Sequence, residues 1–138
     1  MSYLDILEAQ LTIDEGKRNK MYLDSKGIQT IGIGHNLRDR VISDRAIRVI
    51  FEDDMAVAEV DARALVKSFD ALNDARKAVV VNMAFNMGYG TFSKFHNTIA
   101  LIDSAQFDAA ADAMLDSLWA QQVGKRAVRL AEKMRTGT

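Results

Sequence analysis

Glu15, Asp24 and Thr30 stand close together along this chain, and their types suit acid–base chemistry on a polar substrate. Glu15 ends a stretch of helical periodicity, immediately before Gly16. Asp24 opens the turn-forming run Asp24-Ser-Lys-Gly27, and Thr30 lies inside the alternating segment that follows. Glycoside hydrolysis needs two carboxyl groups in unlike protonation states. Glu15, at the negative end of a helix, suits the acid. Asp24, in a polar turn, suits the base. Thr30 could hold a water beside Asp24, because a hydroxyl both accepts and donates. The structural alternative stays open on residue type alone: among 19 acids, a helix-end glutamate and a turn aspartate are commonplace.

These residues must be positioned by the elements around them. Leu4, Leu7 and Leu11, with Ile6 nearby, predict an amphipathic helix over 3–14, stopped by Gly16. Residues 20–35 predict two short strands joined by a turn. Strand alternation places Ile28, Thr30, Gly32 and Gly34 on one face and Gln29, Ile31, Ile33 and His35 on the other. Two glycines in a strand suggest the close approach of a ligand.

The rest reads as helical. Ser43 starts a helix running to about residue 67, with Ile47, Ile50, Phe51, Val57 and Val60 as its apolar positions. Asn73 or Asp74 caps a buried helix over 75–87 that Gly88 and Gly90 end. Shorter helices follow near 95–103, 105–116, 117–122 and 124–134. The expected class is α+β and mostly helical. A small lobe occupies about 15–42, and a helical lobe about 68–138 together with helix 3–14. The helix over 44–67, ~36 Å long at 1.5 Å per residue, would join the lobes, and a cleft between them is the expected binding site.

Composition narrows the function classes. Absence of cysteine excludes disulfides, zinc–thiolate sites and thiol nucleophiles. His35 and His96 alone do not suggest a metal site, and no cofactor is expected. No apolar run approaches the ~20 residues of a membrane span. The N-terminus carries Asp5 and Glu8 without a basic leader, so a secretory signal is not expected. Absence of proline suits a helical chain. Residues 119–138 carry Lys125, Arg126, Arg129, Lys133 and Arg135 against Glu132, a net +4. Such a segment is either a solvated basic face or an attractor of polyanions.

The segment Glu15-Gly-X6-Asp24-X5-Thr30-Ile-Gly-Ile-Gly-His35 closely resembles the catalytic segment of phage-type lysozymes, the endolysin family exemplified by the T-even bacteriophages. Asn82-Met-Ala-Phe-Asn-Met-Gly88 resembles that family's central-helix motif, and Phe95-His-Asn-Thr98 a following cleft motif. Trp119, Arg126-Ala-Val-Arg129 and Arg135-Thr-Gly-Thr138 resemble its C-terminal helices, so similarity spreads from about residue 4 to 138.

The resemblance implies a lysozyme-like fold and a muramidase that cleaves the β-1,4 bond between N-acetylmuramic acid and N-acetylglucosamine. Glu15 would be the general acid, Asp24 the carboxylate beneath the sugar ring, and Thr30 the residue placing the attacking water. An inverting course holds its carboxyls ~6.5–9.5 Å apart. His35 would anchor the hairpin to the helical lobe through a hydrogen bond, and Arg126 matches the family arginine that approaches the catalytic glutamate. Phe85 and Thr98 would meet sugar; core packing and a helix cap are their structural alternatives. Asn36 stands where the T-even enzymes have leucine and is taken as a further substrate contact.

The connection from Asn36 to Ser43 is shorter than in those enzymes, which implies a more open cleft. A substrate-contacting asparagine of the family falls at Ala113. The expected partner is peptidoglycan glycan strands, met by a monomer without nucleic acid or membrane insertion. The leading reading is an endolysin held in the host cytoplasm until a holin admits it to the wall. A lytic domain carried on the virion and a catalytically silent wall-binding protein are the alternatives.

Overall fold

The computed structural model describes all residues, 1–138, which divide into two compact units, Met1–Arg48 and Val49–Thr138. In the first, helix α1 spans Tyr3–Glu15 and begins with a reciprocal cap: Ser2 Oγ accepts from the Asp5 amide while Asp5 accepts from the Ser2 amide. It ends at Gly16, whose φ of 75° and ψ of 163° are open essentially to glycine alone. The Gly16 amide donates to the Thr12 carbonyl at 3.0 Å.

A three-stranded antiparallel sheet follows, in the order β1 (Arg18–Leu23), β2 (Gln29–Gly32), β3 (His35–Asn36). Thr30 sits in the central strand, opposite Tyr22 on one side and Asn36 on the other. The third strand corrects the two-strand expectation. The chain turns between Gly32 and His35, with Gly32 at φ 66° and Gly34 at φ 67°. The alternation of faces expected through residue 34 therefore stops at Gly32. Both glycines serve a turn that L side chains resist.

Helix α2 (Asp44–Leu65) crosses the boundary between the units, and its first turn is capped by Ser43 Oγ, which accepts from the Ala46 amide at 3.2 Å. In the second unit a single turn of 3₁₀ helix (Phe69–Ala71) precedes α3 (Asp74–Phe92). Asn73 is the α3 cap, its Oδ1 accepting from the Arg76 amide at 3.0 Å. Helical geometry is interrupted at Gly88, as the sequence suggested, but helical turns continue to Phe92. Then come α4 (His96–Asp103), α5 (Phe107–Leu115), α6 (Leu118–Val123) and α7 (Lys125–Thr136). No helix is long and apolar enough to cross a membrane.

The core of this unit joins Val79, Val80 and Met83 of α3 to Phe92, Ile102, Met114, Trp119 and Met134. Alanines let the helices approach closely: Ala110 and Ala111 on α5, Ala127 and Ala131 on α7, all essentially inaccessible. The buried face of α2 is Ala58, Ala62 and the following Val66, whereas Val57 and Val60 are 64% and 66% exposed. Apolar periodicity alone points to the larger side chains. Packing against neighbouring helices instead favoured the smaller ones at i and i+4.

Candidate active site

Asp24 builds its own turn. Its Oδ1 accepts from the amides of Lys26 at 2.8 Å and Ile28 at 2.9 Å, while its backbone amide donates to the Ile28 carbonyl. This local side-chain loop is the reason an aspartate opens the run 24–27. One oxygen is thereby committed, and Oδ2 has no protein partner.

Thr30 is 4% exposed and donates its hydroxyl proton to the Ile28 carbonyl at 2.8 Å. With that proton used, the oxygen can only accept from a further group. Ile28 thus ties the two side chains together, its amide held by Asp24 and its carbonyl by Thr30.

Glu15 projects from the last turn of α1 and lies across the backbone of Gly34. The Tyr22 hydroxyl reaches the Glu15 carbonyl at 3.5 Å, and the Arg18 guanidinium stands 4.8 Å from the centroid of the Tyr22 ring. Arg38 carries no motif signal in the sequence. Its guanidinium is held above its ordinary pKa, first by hydrogen bonds to Asp39 and by that residue's charge, and lastly by the charge of Asp24. A cation therefore lies within electrostatic range of Asp24.

Two side chains of the first unit depart from expectation. The Asn36 amide is occupied in closing a turn: Oδ1 accepts from the amides of Arg38 and Asp39, each at 2.9 Å, and Nδ2 donates to Asp39 at 3.0 Å. His35 was expected to anchor through a hydrogen bond, yet its Nε2 is buried without a partner.

In the second unit, Phe85 and Arg126 line one groove of about 840 Å³, together with Phe69, Val81 and Asn82. Phe85 is 45% exposed, so the core-packing alternative is set aside. Its ring stands 6.2 Å from that of Phe51, tilted. Thr98 belongs to a separate, more polar groove of about 420 Å³ with Lys94, Ala113, Asp116 and Ser117. Phe95, not Thr98, occupies the α4 cap position, and Thr98 is buried in the first turn. The helix-cap alternative therefore fails as well.

The two asparagines of the central-helix motif have separate tasks. Asn82 Oδ1 accepts from Arg126 Nε and Nη2 at 3.1 and 2.7 Å, and Asn86 Oδ1 accepts from Trp119 Nε1 at 2.8 Å. Four residues apart, they share one face of α3 and hold α6 and α7 against it. The motif is visible in the sequence, but its partners are not. Polar residues at helical spacing within an apolar run were the available signal.

Residues 12–135 match the phage lysozyme family. The chain belongs to that family. It is 29% identical to the Dictyostelium discoideum protein named probable T4-type lysozyme 2, over 96% of this chain and 95% of that protein. It is 31% identical to the endolysin of Salmonella phage P22, over 84% of this chain and 81% of that one. A third relative, the pre-baseplate central spike protein of Enterobacteria phage T4, is 31% identical over 90% of this chain but only 26% of its own length. Family membership makes this chain a hydrolase of lysozyme type, with peptidoglycan as its substrate. The matched residues include Glu15, Asp24 and Thr30.

Proposed function

We propose that the chain cleaves the β-1,4 bond between N-acetylmuramic acid and N-acetylglucosamine with inversion, as an endolysin acting on the host wall. The supporting observation is the shared anchoring of Asp24 and Thr30 on Ile28. A water bound there donates one hydrogen to Asp24 Oδ2 and the other to Thr30 Oγ1, which can only accept. Its lone pair is left to attack the anomeric carbon. Asp24 takes the proton as the C–O bond breaks, and Glu15 delivers its own proton to the leaving oxygen. Phe85 and Thr98 contact the glycan. The enzyme gathers as a monomer in the host cytoplasm and reaches the wall through holin lesions.

Turbidity loss of permeabilised Gram-negative cells tests the assignment. Wild type clears the suspension, while Glu15→Gln and Asp24→Asn each lose about 100-fold or more. Equal clearing by Glu15→Gln sinks the proposal. An initial β-anomer in the first product contradicts inversion. Similarity to a segment of the spike protein favours a second reading, a lytic domain carried on the virion. Immunodetection of the chain in purified particles supports that second reading over a free endolysin.

A further inference from the structure

We infer that Gly34 is a positioning residue for the general acid, a role that rests on the hydrolytic reading above. A Cβ at position 34 would stand 2.9 Å from each of Cγ, Cδ and Oε2 of Glu15. Nonbonded carbons do not approach so closely, since the optimum is ~3.5–4.0 Å. The Glu15 side chain therefore lies flat on bare backbone, in space that only the glycine hydrogen leaves open. A glutamate at a helix end has several rotamers available. Contact with Gly34 removes some of them and holds the carboxyl where the leaving oxygen must be met.

Gly32 supplies the contrast. It stands in the same turn with φ 66°, against 67° at Gly34, yet a Cβ there meets nothing within 4 Å. Backbone strain alone accounts for glycine at 32. At 34 the same strain is joined by the approach of the acid. A methyl group at 34 has an easy outlet, because Glu15 can rotate away without disturbing the sheet. The fold then survives and the carboxyl is misplaced.

The experiment compares Gly34→Ala and Gly34→Asn with Gly32→Ala, asparagine being the side-chain-bearing residue most tolerant of positive φ. Melting temperature, kcat and KM on peptidoglycan are measured for each. Both position-34 variants should lose about 100-fold in kcat with KM changed by less than about threefold, the signature of a displaced reacting group. Gly32→Ala should melt at a similarly lowered temperature and keep kcat within about threefold of wild type. Position-34 variants that keep kcat, or an equal kcat loss in Gly32→Ala, overturn the inference.

A nuclear Overhauser contact between the Glu15 γ-protons and the Gly34 α-protons reads the geometry independently of turnover. It is expected in wild type and Gly32→Ala, and its absence from wild type also overturns the inference. If the contact is present but wild type hydrolyses nothing, the hydrolytic reading fails and takes the catalytic role of Gly34 with it. The two failures are thus distinguishable.

Discussion

Arg126 points two of its donors, Nε and Nη2, at the single oxygen Oδ1 of Asn82, 44 residues earlier in the chain. The pair fastens α7 to α3 and fixes the direction of a half-buried guanidinium. Asn82→Ala removes the acceptor and leaves a charged donor group without its partner, at a cost of about 1–3 kcal/mol. Chemical denaturation should show that loss. Asn82→Asp restores an acceptor and should recover most of it, and equal loss in both variants would refute the pairing as the cause.

Thr30 offers a separate test of the water geometry. In Thr30→Ser the hydroxyl remains, and kcat should stay within about threefold of wild type. In Thr30→Val the acceptor for water and the donor to the Ile28 carbonyl both disappear. We expect kcat to fall about 10- to 100-fold with little change in KM, alongside about 1 kcal/mol of lost stability. Equal activity of the serine and valine variants would rule out the water-holding role.

The start of α1 should respond to acid. Hydrogen bonds to the Ser2 backbone and then its hydroxyl hold the Asp5 carboxyl below its ordinary pKa, against a smaller effect of desolvation. A carboxylate lowered on folding stabilises the folded state above its unfolded value, ~3.9, and the benefit disappears as pH falls through the lower folded value. Protection of the amides in the first turn of α1, their exchange relative to an unstructured chain at the same pH, should therefore fall below about pH 4. Asp5→Asn should show the reduced protection already at neutral pH. A first turn whose exchange does not depend on this substitution would contradict the account.

Ala105 is the sole non-glycine residue with positive φ, at 58°. This conformation costs an L residue about 1–2 kcal/mol, partly offset in glycine by greater freedom of the unfolded chain. Ala105→Gly should thus gain about 0.5–1 kcal/mol, seen as a higher urea midpoint with unchanged slope. A lower midpoint would count against strain at this turn.

Much of the helix order is readable because its signals are local. Ser43 and Asn73 cap the helices they precede, and Gly16 stops the one it follows. Local signals mislead where partners, not spacing, decide. Val57 and Val60 look like core residues, yet Ala58 and Ala62 are buried, because close helix crossings favour small side chains that carry little hydrophobic signal. For Thr98, a helix cap is only the structural alternative to a sugar contact, and it is set aside because the chain enters α4 at Phe95 and Thr98 lies within the first turn. Asn36 is drawn into a turn by Asp39, three residues away.

What the sequence determined by itself is the local element that carries each of Glu15, Asp24 and Thr30. A helix stop, an aspartate-closed turn and a short strand are set by interactions spanning a few residues. What only the tertiary structure decided is which groups those elements bring together. Glu15 comes to rest on Gly34 because the sheet doubles back a second time after Gly32. Trp119 finds Asn86 across 33 residues, and Arg126 finds Asn82 across 44. Such pairings depend on helices closing over a shared core, and no spacing along the chain encodes the direction from which a partner arrives.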